Sequence, residues 1–448
     1  MLELPSSLKK IELLLFDMDG VITSEHSYWD AAGLTVRELI ESSAYLGLNP
    51  PNYFPVADLY YHKMAKSSRM QWRKYLPTPL IAHCKTRGLN NNWDIAYLTF
   101  GLYLASLLSP ILPLFLNFRI NGSFDSTQTF TIPGLSPEKQ NPFDTREILQ
   151  DALSPIWDDL VKKAEAGFGP DFLRAQDMHL WGHYFRRIGR TISPIQNIDL
   201  FVIDDFHPDL RGLQLLDELN KVVQGKLPGK VSLFGRDTQL WEDCRLIFQS
   251  WFLGEELYKK TYNLPLYYAP RNGLIYHEKP LFEQEKMAHA LSRLKEAGYQ
   301  LGIATGRPRM EIRTPLKNWN LLHYFEQNRI VTNDEVETAE RELVKLKIHD
   351  KIGKPHPFPF LKAIYPKKST KTLLKLSRSV IPERDRILII GDTQADIWAA
   401  HAIGCPCVAV LSGAAGQEGR TRLIEANPDL VCNDVLELSE ALVKLKSG

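Results

Sequence analysis

A short apolar run that ends in two acids limits how this chain can fold more than any other feature. Residues 11–16 read Ile-Glu-Leu-Leu-Leu-Phe, and Asp17-Met18-Asp19-Gly20-Val21 follows directly. A run of that length, bounded by charge and turn residues, predicts a buried strand. Alternation along extended backbone sends Asp17 and Asp19 to the same side. Gly20 lets the chain leave the strand at once. In an open α/β sheet that exit is the carboxyl edge, where ligands bind.

Three further runs repeat the pattern. Residues 299–304 end in Thr305-Gly306-Arg307-Pro308, and residues 329–332 come ahead of Gly353-Lys354-Pro355. Residues 386–390 lead into Gly391-Asp392-Thr393-Gln394-Ala395-Asp396, after which residues 397–403 take helical spacing. The set predicts an α/β fold. Asp392 falls at a strand end and Asp396 in a first helical turn, where the helix dipole favours a carboxylate. Thr305, the Gly306 amide and the helix start behind them form an anion cradle.

DMDGV, ATGRP, GKPHP and GDTQAD, in this order, resemble the motifs of the haloacid dehalogenase (HAD) superfamily, over residues 1–24 and 279–448. The resemblance implies a Rossmann-like parallel-sheet core and a Mg2+-dependent phosphatase that works through an aspartyl-phosphate. By that resemblance Asp17 is the nucleophile and Asp19 the general acid/base. Thr305, Gly306 and Lys354 bind phosphate. Mg2+ is held by Asp17, the backbone carbonyl of Asp19 and Asp392, with Asp396 beside them. The dehalogenase branch lacks a second aspartate at the position of Asp19, so phosphoryl chemistry is favoured over carbon–halogen cleavage. A charged stretch, residues 337–350, separates Thr332-Asn333-Asp334-Glu335-Val336 from Lys354, and Lys345, Lys347 and Lys351 stay as alternatives. A phosphomutase would use the same aspartyl-phosphate. A non-catalytic binding protein is the third reading, and phosphoglycolate-like and sugar-phosphate substrates are both open.

Residues 25–278 lie where the family inserts a cap, and this insertion is longer than the core. Helical candidates are 28–44, 93–108, 145–166, 170–188 and 239–262, so a mainly α-helical cap is expected. Residues 117–144, rich in Gly, Ser, Thr and Pro, read as a linker between subdomains 25–116 and 145–278. A cap of this kind implies a small phosphorylated metabolite as substrate. Asn90-Asn91-Asn92-Trp93-Asp94 reads as helix capping or as a specificity element. Asn92 and Arg307 are accordingly candidate substrate contacts.

The 448 residues carry a formal charge of +1, which offers no electrostatic case for nucleic acid or an anionic membrane. Five cysteines are too few for a disulfide framework, and Cys405 and Cys407 read as small core residues. The start of the chain lacks the pattern of a signal peptide, so a cytoplasmic protein is expected. Residues 96–118 carry no charge, but Pro110 and Pro113 break them, so a membrane span is not expected. His179 and His183 stand one helical turn apart without the acid of a zinc motif. Arg186, Arg187 and Arg190 read as a solvated face. Oligomeric state is not legible.

Overall fold

The computed structural model describes residues 2, 4–42, 45–46, 75–89, 91–108, 207, 209–224, 235, 238–266, 271–413 and 419–447. Contacts divide the chain into two units, residues 1–27 with 273–448, and residues 28–272.

The first unit is built on six strands, β1 (Leu13–Phe16), β2 (Gln300–Ala304), β3 (Ile330–Val331), β4 (Ile387–Gly391), β5 (Cys407–Val410) and β6 (Leu430–Cys432). They form one sheet in the order β3-β2-β1-β4-β5-β6, with every pairing parallel. This is the doubly wound order, and its direction reverses between β1 and β4. The expected α/β, Rossmann-like core is what the chain forms.

Strand alternation sorts the apolar residues onto two faces. Leu14, Phe16, Met18, Leu301, Ile303, Leu388, Ile390, Val408 and Val410 pack with helices Gln284–Glu296, Arg309–Asn318 and Val435–Ser447. Leu13, Leu15, Ala304, Ile387, Ile389, Cys407 and Ala409 pack with helices Asn333–Lys345, Phe358–Ile364 and Gln394–Ala402. Each fully buried Leu, Ile or Phe contributes roughly 1.5–3 kcal/mol, so helices on both faces are strongly favoured. Met18 continues the alternation of Leu14 and Phe16. Asp17 and Asp19 therefore fall on the other parity, as read from the sequence.

The described part of the second unit is helical. It contains Thr78–Thr86, Asn92–Leu108, Gln214–Gln224, Gln239–Tyr262 and most of His26–Glu41. Thr238 caps the long helix by accepting from the Trp241 amide at 3.2 Å, and Gly254, with φ of 72°, kinks it. Tyr28 stacks on Phe252 at 4.2 Å between centroids. A buried ion pair, Arg271 to Glu38 at 2.8 Å, is roofed by Trp251, whose Nε1 donates to Glu38 at 2.6 Å. No helix among the described residues is long and apolar enough to cross a membrane. Linker 117–144, helices 145–166 and 170–188, the two histidines and the arginine cluster lie outside the described residues.

Candidate active site

Register alone brings the distant motifs together. Phe16 pairs with Ile303 on one side and Ile390 on the other. One residue later, Asp17 leaves β1 between Ala304-Thr305 and Gly391-Asp392. Its amide donates to the Ile390 carbonyl at 2.8 Å. The switch of the sheet therefore carries Asp17 and Asp392 side by side.

Asp17 and Asp392 are 8% and 4% exposed. One oxygen from each of Asp17, Asp392 and Asp396 lies within 4.8 Å of the others. Asp396 comes from the first turn of helix Gln394–Ala402, where its Oδ2 accepts from the Thr393 hydroxyl at 2.7 Å and completes a capping box. That places one oxygen at the helix start and turns the other toward Lys354. The Lys354 ammonium reaches Asp396 Oδ1 at 2.7 Å and Asp17 Oδ1 at 3.0 Å. Of the four lysines left open by the sequence, Lys354 is the one paired with Asp17; Lys351 pairs instead with Glu340 at 3.2 Å.

Two of these carboxylates thus pair with one ammonium, and the third stands beside them, in a water-poor setting. Burial is the main force pushing the Asp17 carboxyl up to about 7 from its usual 3.8. Lys354 pulls it back down, while Asp396 and Asp19 add to the rise. Burial alone would lower Lys354, but Asp17 and Asp396 outweigh it and hold the ammonium above its usual range. The donor set is all oxygen, which suits a hard divalent cation such as Mg2+. Two glycines shape the same spot. A Cβ on Gly20 would meet Asp392 Oδ2 at 2.3 Å, and one on Gly413 would meet it at 1.7 Å. Gly20 also has φ of 67°, a conformation that favours glycine. Backbone therefore lies directly against the Asp392 carboxylate.

Asp19 faces a different partner. Arg307, 3% exposed, engages it in a fork: Nε lies 2.9 and 3.0 Å from the two carboxylate oxygens, and Nη2 pairs with Oδ1 as well. The Thr23 hydroxyl donates to Asp19 Oδ1 at 3.0 Å, and Arg307 Nη2 donates to that hydroxyl at 3.0 Å. The guanidinium also pairs with Glu278 at 2.7 Å. Burial is the main cause raising the Glu278 carboxyl above its usual range; Arg307 opposes it. Thr23 and Glu278 were not singled out by the sequence reading as site residues. In the sequence Glu278 is only the last residue of the insertion 25–278, and nothing local pairs it with Arg307.

Thr305, 1% exposed, directly follows β2, donates its amide to the Val331 carbonyl at 3.0 Å and accepts from the Arg307 amide at 3.2 Å through its hydroxyl. Gly306 is exposed, and a Cβ there would meet nothing within 4 Å. Asn92 belongs to the other unit, where it opens helix Asn92–Leu108 and is 6% exposed.

Fold and site together define a doubly wound α/β protein with an acid-and-lysine cluster at the switch of its sheet. A family model described as HAD-hydrolase-like matches residues 351–438, the stretch that supplies Lys354, Asp392 and Asp396. Over that stretch the chain is similar to HAD-like hydrolases, the family its motifs resemble. A phosphoglycolate phosphatase of Haemophilus influenzae (strain 86-028NP) is 28% identical over 148 residues, which are 33% of this chain and 52% of that protein. Pyrophosphatase PpaX of Bacillus mycoides (strain KBAB4) is 26% identical over 170 residues, 38% of this chain and 64% of that one. The chain spans about half to two-thirds of the length of these curated relatives. A crystal structure solved as a structural-genomics target aligns over 97% of this chain and 99% of its own, with a TM-score of 0.66 and 24% identity. That likeness is one of fold.

Proposed function

We propose that this chain is a Mg2+-dependent phosphatase that hydrolyses a small phosphorylated metabolite through an aspartyl-phosphate on Asp17. The observation that carries the reading is the convergence of Asp17, Asp392, Asp396 and Lys354 at one point of the sheet. Two of the relatives are a phosphoglycolate phosphatase and a pyrophosphatase, which supports phosphate esters and anhydrides as the substrate class.

In this reading an Asp17 oxygen attacks phosphorus and the ester oxygen leaves, which splits one slow hydrolysis into two displacements. Lys354 holds Asp17 in place and meets the phosphoryl oxygens with positive charge. The Thr305 hydroxyl and Gly306 amide orient those oxygens from the neighbouring strand end. Asp19 hands a proton to the leaving alkoxide and then takes one from the attacking water, a role that contributes about 10²–10⁴-fold. Its oxygens are engaged by Arg307 and Thr23, so Arg307 sets the orientation from which Asp19 acts. Asp17, the Asp19 carbonyl and Asp392 would hold Mg2+, with Asp396 steadying Lys354 beside them. The cation supplies charge that offsets the carboxylates and the phosphoryl group. Selection among metabolites falls to the inserted unit, with Asn92 as one candidate, and the protein is read as cytoplasmic.

The test is phosphate release from a panel of phosphorylated metabolites, with Mg2+ and with EDTA, against Asp17→Asn. Mg2+-dependent release that the variant lacks is expected. No release from any member, or equal release by the variant, overturns the proposal.

A further inference from the structure

A second group of ligating side chains lies at the opposite edge of the same sheet. Cys407 is the first residue of β5, His401 sits in the last turn of helix Gln394–Ala402, and Asp429 comes immediately before β6. One donor atom from each lies within 4.8 Å of the others. Cys407 Sγ and His401 Nε2 are 3.7 Å apart. Asp429 is fixed at this spot from both sides of its backbone and side chain. Its Oδ2 accepts from the Cys407 amide at 2.8 Å, and its amide donates to the Cys407 carbonyl at 3.1 Å.

Two chemistries use a cysteine, a histidine and an acid. A nucleophilic thiol needs the acid to orient the imidazole. Here Asp429 is hydrogen-bonded to the Cys407 backbone instead, and no hydrogen bond joins it to His401 among the described residues. A tetrahedral zinc site needs only the three donors at the right spacing. With Zn–S of about 2.3 Å and Zn–N of about 2.0–2.1 Å, sulfur and nitrogen on one ion stand about 3.6 Å apart. The 3.7 Å between Cys407 and His401 matches that edge. Mixed sulfur, nitrogen and oxygen donors select a borderline cation of the zinc class over Mg2+.

We propose that His401, Cys407 and Asp429 form a zinc-class metal site, with water at the fourth position. His401 and Asp429 are exposed and flank the buried sulfur, which gives the ion a path from solvent. Binding forms the metal–sulfur bond and sends the Cys407 thiol proton to solvent. The ion ties helix Gln394–Ala402, which carries Asp396, to the start of β5 and the approach to β6. Cys407 is then both a core residue and a ligand, a double role its apolar neighbours conceal in the sequence.

The test is a Co2+ titration of the full chain after EDTA treatment, followed by Zn2+ competition. The oxygen cluster around Asp17 has no thiolate, so a near-ultraviolet sulfur-to-cobalt band does not arise there, and Cys407→Ser separates this site from the other cysteines. One equivalent of Co2+ should raise the band and Zn2+ should bleach it. Cys407→Ser should abolish it. His401→Ala, at an exposed position, and Asp429→Asn should weaken Co2+ binding at least about tenfold. Absence of the band in the native chain, its survival in Cys407→Ser, or native affinity in His401→Ala would each overturn the proposal. None of these readings depends on phosphatase activity.

Discussion

Lys354 stands between Asp17 and Asp396, 3.0 Å from one carboxylate and 2.7 Å from the other, and so ties the end of β1 to the start of helix Gln394–Ala402. Replacing it by methionine strands two buried carboxylates, a loss that costs about 3–5 kcal/mol in comparable buried pairs. Lys354→Met should lower the urea midpoint of the metal-free protein accordingly. Its kcat should fall by about 10²–10³-fold, the scale of losing one transition-state donor. An unchanged midpoint would count against the ion pair.

Asp17 makes stability depend on pH. Its folded pKa of about 7 lies above the ordinary 3.8, so between those values the folded state binds more protons than the unfolded. Its contribution is therefore full below about pH 4 and is lost as pH rises through about 7. Asp17→Asn removes that loss. The variant should match the native chain near pH 4 and exceed it by on the order of a few kcal/mol at pH 8, without metal. Urea titrations in EDTA across that range check it. A constant difference between the two proteins would defeat the assignment.

Arg307 serves two acids, Asp19 and Glu278. Arg307→Lys keeps the charge but loses the fork. We expect kcat to drop by about 10–10²-fold and the acid and base limbs of the rate profile to move, since Asp19 loses its fixed orientation. Arg307→Met should destabilise by about 3–5 kcal/mol because Glu278 is left buried and unpaired. Adding Glu278→Gln should restore part of that stability but not the rate.

Gly413 has no room for a side chain: its Cβ would fall 1.7 Å from Asp392 Oδ2. Gly413→Ala must turn Asp392 aside or push the loop away. The Mg2+ concentration giving half-maximal activity should rise by about tenfold or more, the scale seen when a ligand loses its support. Equal Mg2+ curves for variant and native chain would separate Asp392 from the cation.

Much of the core was legible because its signals are local. The runs before Asp17, Thr305 and Asp392 became β1, β2 and β4, and Asp396 took the first helical turn its spacing required. Gly353 and Pro355 favoured Lys354, but Lys345, Lys347 and Lys351 stayed open, because helix Asn333–Lys345 sets how far the chain travels before it turns back. The pairing of Arg307 with Glu278 and the contact of Gly413 with Asp392 join residues 29 and 21 positions apart. No period or turn rule connects such residues; only the folded sheet does. In the second unit the long helix Gln239–Tyr262 matched its pattern, whereas the buried Glu38–Arg271 pair spans most of the insertion and left no trace in it.

Where the large insertion departs and returns, the backbone closes on itself. Thr23 bridges Pro280, and the Leu281 amide donates to the Ile22 carbonyl at 2.8 Å. The two crossings are neighbours, so a splice of a few residues would suffice to join them. The core's connectivity consequently places no length requirement on what hangs from this clasp. Helices there can be enlarged or removed without reordering the carboxyl edge of the sheet.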